Sequence, residues 1–439
     1  MATVRPFRAI RYDEKFDDLG KLVSPPYDVI SASDRRALVA GNDHNFVRII
    51  LPEGGADRFE HAAKLLSEWR EEGVLIQETE PALYLYKQSF RRKGEATPRW
   101  RRGLLCAVRL TPFGEDVLPH ERTMSKPKEE RLALLSACDT QLEPIFLLYR
   151  DQERRLETAF KALERTAPLY RFKDNLGDEH VVWRMSDERT LTVVAAVLAE
   201  KRLYVADGHH RYETALTRRD ALAKERGGLA PDDPHNFCLS YLVNMEDREG
   251  LLILAAHRLL SGRHLDVNDF LSRAKDVFEI ETRPIKQRHA GAVAAALAVV
   301  TPHFHRFGAY FGGKELYVLR LGDERHLKSL NSEVRTADGC FLDVTVLHDL
   351  VLNRICGIPS EEHMDVLSYT IDEDEALEAV DRGEASAAFF LNPTDPLHVR
   401  DVAERGMRMP GKATYFYPKP KSGVVVLPLD EPLAATDVA

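Results

Sequence analysis

Apolar positions along the chain fall into two spacings. Short continuous runs over 46–51, 82–86, 103–110 and 144–149 predict buried strands. Over 56–72, Phe59, Ala62, Leu65, Leu66 and Trp69 recur at helical spacing and predict an amphipathic helix. The basic stretch 90–102 sits between two predicted strands and reads as a hairpin tip. Further on, the pattern predicts a helix over 186–200 and a strand over 202–206. That strand stops at Asp207-Gly208, and a helix starts near His210 and runs towards Glu225. Strands follow over 237–244 and 251–254. Beyond them the spacing predicts helices over 266–277, 343–355 and 375–382, and strands over 316–321 and 387–391. The tail after Leu429 is rich in Pro and Ala and is expected to fray.

These alternations predict an α/β or α+β chain of mixed sheets with helices. They divide it into three regions: an N-terminal α/β region 1–165, a core 166–262, and a C-terminal α/β region 263–439. No repeat period stands out.

Composition narrows the function classes. The chain has 439 residues, 44% hydrophobic and 30% charged, an ordinary globular balance. A formal net charge of −9 argues against a nucleic-acid partner, though not against small anions in a local basic pocket. The five cysteines, Cys106, Cys138, Cys238, Cys340 and Cys356, include no CxxC pair. They read as reduced thiols rather than a disulfide framework or zinc site. Residues 1–10 contain no apolar signal region, and no run approaches the ~20 apolar residues of a membrane span. The expectation is a cytoplasmic protein without a membrane partner; the oligomeric state is not set by the sequence.

The strongest chemical signal is Leu203-Tyr204-Val205-Ala206-Asp207-Gly208-His209-His210-Arg211. An apolar strand ends at a glycine that can turn with positive φ. A helix then starts, and its free N–H groups and positive dipole end form an anion site. Arg211 can contact phosphate bidentately, and the histidines can donate to it or act as acid or base. The bland alternative is a polar helix start on a solvated surface. A zinc site is disfavoured because no HExxH or HxxxH spacing occurs.

Three other segments carry candidate chemistry. Pro119-His120-Glu121-Arg122-Thr123 offers a base and anion ligands, or merely a charged helix cap. Ser24-Pro25-Pro26-Tyr27-Asp28-Val29-Ile30 presents Tyr27 and Asp28 on a proline-stiffened backbone, or is a structural turn. Met409 to Lys419 interleaves Lys412, Thr414, aromatics and Lys419. Its alternative is a strand with a surface lysine at each end. Asp343 and His348 read as packing and capping residues. Walker, GxGxxG and GxSxG signatures are absent, which removes P-loop kinases, Rossmann dehydrogenases and α/β-hydrolases.

Taken in order, Arg5-Pro6-Phe7-Arg8-Ala9, the 24–30 and 119–123 segments, Ala206 to Ala215, Leu342 to His348 and Thr414 to Lys419 resemble the domain of unknown function 1015 family. That family carries no established activity. The strand, Asp-Gly-His-His-Arg turn and helix also resemble the phosphate-binding box of the ParB/sulfiredoxin-like superfamily, which includes CTP-binding partition proteins and free-serine kinases. The second resemblance implies that Gly208 supplies the turn and that His209, His210 and Arg211 hold phosphates. It also implies that Asp207 positions substrate or Mg2+.

The leading expectation is therefore a small-molecule kinase using Mg2+ with ATP, ADP or a pyrophosphate-like donor, acting on a hydroxyl acceptor. Free L-serine is the acceptor that the resemblance suggests. Glu121 is the expected base, with Asp28 as the alternative and His120 and His210 as further catalytic candidates. Arg122, Thr123, Lys412 and Lys419 are the expected additional phosphate ligands. The alternatives are a nucleotide-binding switch with little catalysis, a metal-dependent hydrolase, and an interaction protein without a small ligand.

Overall fold

The computed structural model describes residues 2–92, 95–121, 125–285, 291–298, 305–330 and 334–434. Its largest sheet has nine strands. In chain order these are β1 (Val4–Arg5), β2 (Leu83–Phe90), β3 (Arg99–Arg109), β4 (Val117–Leu118), β5 (Ile145–Tyr149), β6 (Tyr170–Lys173), β7 (Glu179–Met185), β8 (Leu203–Asp207) and β9 (Phe237–Asn244). Their spatial order is β4-β8-β5-β9-β3-β2-β7-β6, with β1 paired to β3. The β8–β4 and β9–β5 pairs are parallel and the others antiparallel, so the sheet is mixed. Strands from regions 1–165 and 166–262 are interleaved within it. Every residue of β5 is buried, which is why it reads as a continuous apolar run rather than an alternating one.

A short ribbon and a second sheet follow. Strand β10 is Leu252–Leu254. The second sheet contains β11 (His257–Leu260), β12 (Phe278–Pro284), β13 (Arg306–Tyr310), β14 (Glu315–Leu321), β15 (Leu367–Thr370) and β16 (Ala387–Phe390). It is antiparallel, in the order β12-β14-β13-β16-β11-β15. Strand β17 (Tyr415–Tyr417) then pairs with β10. Phe416 of β17 packs edge-on against Phe146 of β5, with ring centroids 5.7 Å apart, and this anchors the ribbon on the large sheet. The whole is a mixed α+β fold.

Four helices matter for the site or its support. They are α1 (Arg58–Glu71), α2 (Ser125–Cys138), α3 (Glu188–Ala199) and α4 (His209–Arg226). Helix α1 buries Ala62, Leu66 and Trp69, as its spacing predicts. Helix α4 ends on Gly227 at φ 73°, a left-handed stop that suits glycine. Among the described residues no helix is long and apolar enough to cross a membrane.

Two elements differ from expectation. The run 46–51 is a helical turn, Val47–Ile50, rather than a strand. Asn45 decides it: Oδ1 accepts the Val47 N–H, and Nδ2 donates to the Lys21 and Val23 carbonyls. This bond to the residue two positions on turns the chain just ahead of the helix, whose N-cap Phe46 has no side-chain bond of its own, and a short buried apolar run has no period to oppose the turn. The helix expected over 343–355 is α-helical at Asp343–Val346 and π-helical at Leu347–Ile355. Asp343 accepts from His305 Nδ1 at 2.7 Å and His348 Nε2 from Arg258 at 3.2 Å, which are structural uses.

Candidate functional site

Strand β8 delivers Asp207 to the edge of the sheet, and Gly208 turns the chain at φ 94°. Helix α4 starts at the next residue with no side-chain cap. Its first-turn N–H groups have no carbonyl one turn back within the helix, so they point outward. The turn is fixed from both sides. Arg211 Nη2 donates to Asp207 Oδ2 at 2.7 Å, and Arg211 Nη1 donates to the Pro144 carbonyl at 2.7 Å. Lys419 Nζ donates to Asp207 Oδ1 at 2.7 Å and to Asp28 Oδ2 at 2.5 Å.

Asp28, Lys419, Asp207 and Arg211 thus form a row of alternating charge. The Lys419 side chain is only 8% exposed, so the reading of a surface lysine at that end of the segment is corrected. Burial alone would raise the Asp207 carboxyl. Lys419 and Arg211 instead hold it well below the usual carboxylate range. Burial would likewise discharge Lys419, but Asp207 and Asp28 push its ammonium above its ordinary value.

The 119–121 segment continues from β4 alongside β8. His120 is completely buried. Its Nδ1 donates to the Val205 carbonyl at 2.7 Å, and its Nε2 accepts from the Thr414 hydroxyl at 2.9 Å. A carbonyl only accepts, so the proton sits on Nδ1. The His120 backbone N–H donates to His209 Nε2 at 3.3 Å. Burial lowers His120 to about 4. Burial, then His120 itself, brings His209 well below its ordinary value. Both rings are therefore neutral brackets near pH 7. His120 was a catalytic candidate, but it does not line the cavity described next and neither ring nitrogen is spare.

Glu121 turns the other way. Its Oε1 accepts the Lys412 backbone N–H at 3.1 Å, and the Met409 N–H donates to the His120 carbonyl at 2.7 Å. Lys412 has φ 57°, a left-handed conformation uncommon outside glycine. Arg258 Nη2, fully buried, donates to its carbonyl at 3.2 Å. Lys412 is thus pinned from both sides with its side chain exposed. Burial raises the Glu121 carboxyl, and the Lys412 N–H only partly offsets this.

The result is one cavity of about 120 Å³. Tyr27, Asp28 and Val29 line it from the 24–30 segment, and Glu121 from the next. Residues 206–211 form its floor, and Lys412, Thr414, Tyr415 and Lys419 close it. Four segments separated by up to 391 positions, the Asp28–Lys419 span, meet here. Of the sequence candidates, Asp28, Glu121, Asp207, Gly208, His209, His210, Arg211, Lys412 and Lys419 come together. Arg122 and Thr123 lie outside the described residues. Two supports went unsignalled: Arg258, and Glu143, whose Oε1 accepts from the Tyr27 N–H and the Ser422 hydroxyl. Each is a single charge beside an apolar run, with no motif to mark it.

Asp207 is also the expected Mg2+ ligand. Both its oxygens are taken by cations of the protein. Among the described residues no group of three or more His, Cys, Asp or Glu side chains could hold a metal ion. The residues present do not fit a resident Mg2+.

Comparison with known proteins places the chain in a family. The family described as "Protein of unknown function (DUF1015)" matches residues 4–345. The chain belongs to the DUF1015 family. The DUF1015 match ends before Lys412, Thr414, Tyr415 and Lys419, so the closing wall of the cavity lies outside it. No curated protein matches the chain. Solved structures similar to it include a free serine kinase in complex with AMP, at 14% identity, covering 74% of this chain and 89% of that one, with a TM-score of 0.32. SbnI with a C-terminal truncation, from Staphylococcus aureus, is 13% identical, with 76% and 89% covered and a TM-score of 0.36. A conserved hypothetical protein from Pyrococcus furiosus is 14% identical, with 72% and 93% covered and a TM-score of 0.33.

Proposed function

We propose that this chain is a small-molecule phosphotransferase. A nucleotide or pyrophosphate-like donor places its phosphates at the start of α4, against Gly208, His209 and His210. One observation carries the reading. Four distant segments converge on an uncapped helix start and bring Lys412 and Lys419 to the same 120 Å³ cavity as the raised carboxyl of Glu121. The N–H groups and the exposed Lys412 suit a polyanion, with Lys419 held in place between Asp28 and Asp207. Glu121 suits a base, because a carboxyl raised towards neutrality accepts a proton more effectively.

In the proposed step the acceptor hydroxyl gives its proton to Glu121. Its oxygen bonds to the terminal phosphorus, the bridging P–O bond breaks, and the leaving phosphate takes the electron pair. Asp28 is the weaker choice of base, because Lys419 already occupies its Oδ2. Arg211 acts as a positioning residue that fixes Asp207 and the turn. His210 is half-buried at the cavity and can donate to a phosphate oxygen. Free L-serine is the first acceptor to try, on the resemblance of the turn.

The test incubates the protein with ATP, ADP or pyrophosphate, a divalent cation and a panel of hydroxyl acceptors including L-serine. Phosphorylated acceptor from the wild type, and a drop of about tenfold or more in His210→Ala, is the expected outcome. Donor binding without any product supports a nucleotide switch instead, and no binding at all contradicts the reading.

A further inference from the structure

The phosphate cavity is too small for a whole nucleotide. At about 120 Å³ it falls below the ~300–1,000 Å³ of ordinary ligand pockets. A second cavity, of about 370 Å³, lies beside it. Leu254 lines the larger cavity, and its cross-strand partner in the β10–β17 ribbon is Tyr415, which lines the smaller one. Directly paired residues of antiparallel strands point to the same face, with Cβ atoms about 4.5–5.5 Å apart. The two cavities therefore meet at this pair of the ribbon.

The larger cavity has the chemistry of a ring site. Leu252 and Leu254 give it apolar walls, and Tyr417 adds an aromatic ring. His257 and Asn392 bring polar groups to it. The His257 side chain is 4% exposed, and its Nδ1 has no hydrogen-bond partner among the described residues. A buried, unpartnered imidazole nitrogen costs free energy unless something hydrogen-bonds to it.

We infer that this second cavity takes the nucleoside end of the donor, stacking its base on the Leu252–Tyr417 wall with a polar edge towards His257 and Asn392. The inference rests on the proposed phosphate site at α4. A third cleft, of about 670 Å³, touches the phosphate cavity at Val29. None of its lining side chains is a buried polar group without a partner among the described residues, whereas His257 Nδ1 in the second cavity is one.

Calorimetric titration of the full chain with pyrophosphate and with ADP, CDP, GDP and UDP tests it. The expected result is that one nucleoside diphosphate binds about ten- to hundredfold more tightly than pyrophosphate. Ala255→Trp, which fills the second cavity, should remove that advantage and leave pyrophosphate binding unchanged. Leu252→Trp is the second variant, and decides the matter if the first fails to fold. Nucleotides binding no better than pyrophosphate, or an advantage that survives in a folded variant, overturns the inference. A wild type that binds neither class overturns the phosphate site itself.

Discussion

Glu121→Gln is expected to lower phosphoryl transfer by about 10²–10⁴-fold while leaving donor binding within a few-fold of wild type. The amide keeps the shape of the side chain and can still accept the Lys412 N–H through its oxygen, so the 409–412 loop stays in place. It cannot take a proton. The wild-type pH profile supplies an independent readout. A base works only when ionised, and burial raises the Glu121 carboxyl above its ordinary value of 4.5. Activity should therefore be full on the alkaline side of that raised pKa and be lost as pH falls through it, at a higher pH than an unperturbed glutamate would titrate. In Glu121→Gln this acid limb should disappear along with most of the rate. Unchanged turnover, measured as phosphorylated acceptor per enzyme, would remove Glu121 from the reaction and return attention to Asp28.

The second large effect is on stability. Lys419→Met removes the side chain that bridges Asp28 and Asp207. The methylene stem is kept, so little packing is lost. Two carboxylates are left close together without their shared cation, one of them also held by Arg211. Truncating one partner of a buried ion pair costs about 3–5 kcal/mol, because the remaining charge has lost its water and gained nothing. Urea unfolding should show the midpoint falling accordingly. Asp28→Asn added to Lys419→Met should recover part of the loss by removing one of the two stranded charges. A shift below ~1 kcal/mol in the single variant would mean that the row Asp28–Lys419–Asp207–Arg211 is solvated like a surface pair.

The turn was legible in the sequence because its parts are local. An apolar run that stops at Asp207-Gly208 and resumes with helical spacing can only be a strand, a tight turn and a helix start, and the structure has β8, Gly208 at φ 94° and α4 in those places. The mixed α+β class was legible for the same reason. Convergence was not. Nothing in the spacing of Lys419 says that it reaches across to Asp28 and Asp207, since that contact depends on the β10–β17 ribbon bringing the C-terminal segment back over the large sheet. The sequence put Glu121 first as base but kept its neighbour His120 among the catalytic candidates. His120 and Glu121 look equally chemical as letters, but adjacent residues in an extended segment face opposite ways. One is buried between Val205 and Thr414, and the other lines the cavity. The 46–51 run was misread because a buried apolar stretch of that length carries no period, and the deciding group, the Asn45 side chain, acts through hydrogen bonds to residues more than twenty positions away as well as to Val47.

All of these expectations depend on phosphate binding at the start of α4. A crystal of the full chain soaked with pyrophosphate or ADP tests that most directly. The account predicts phosphate density within hydrogen-bond reach of the backbone N–H groups of His209, His210 and Arg211, with Lys412 turned onto it. Saturating ligand with that helix start left bare, or density confined to another part of the molecule, would contradict it.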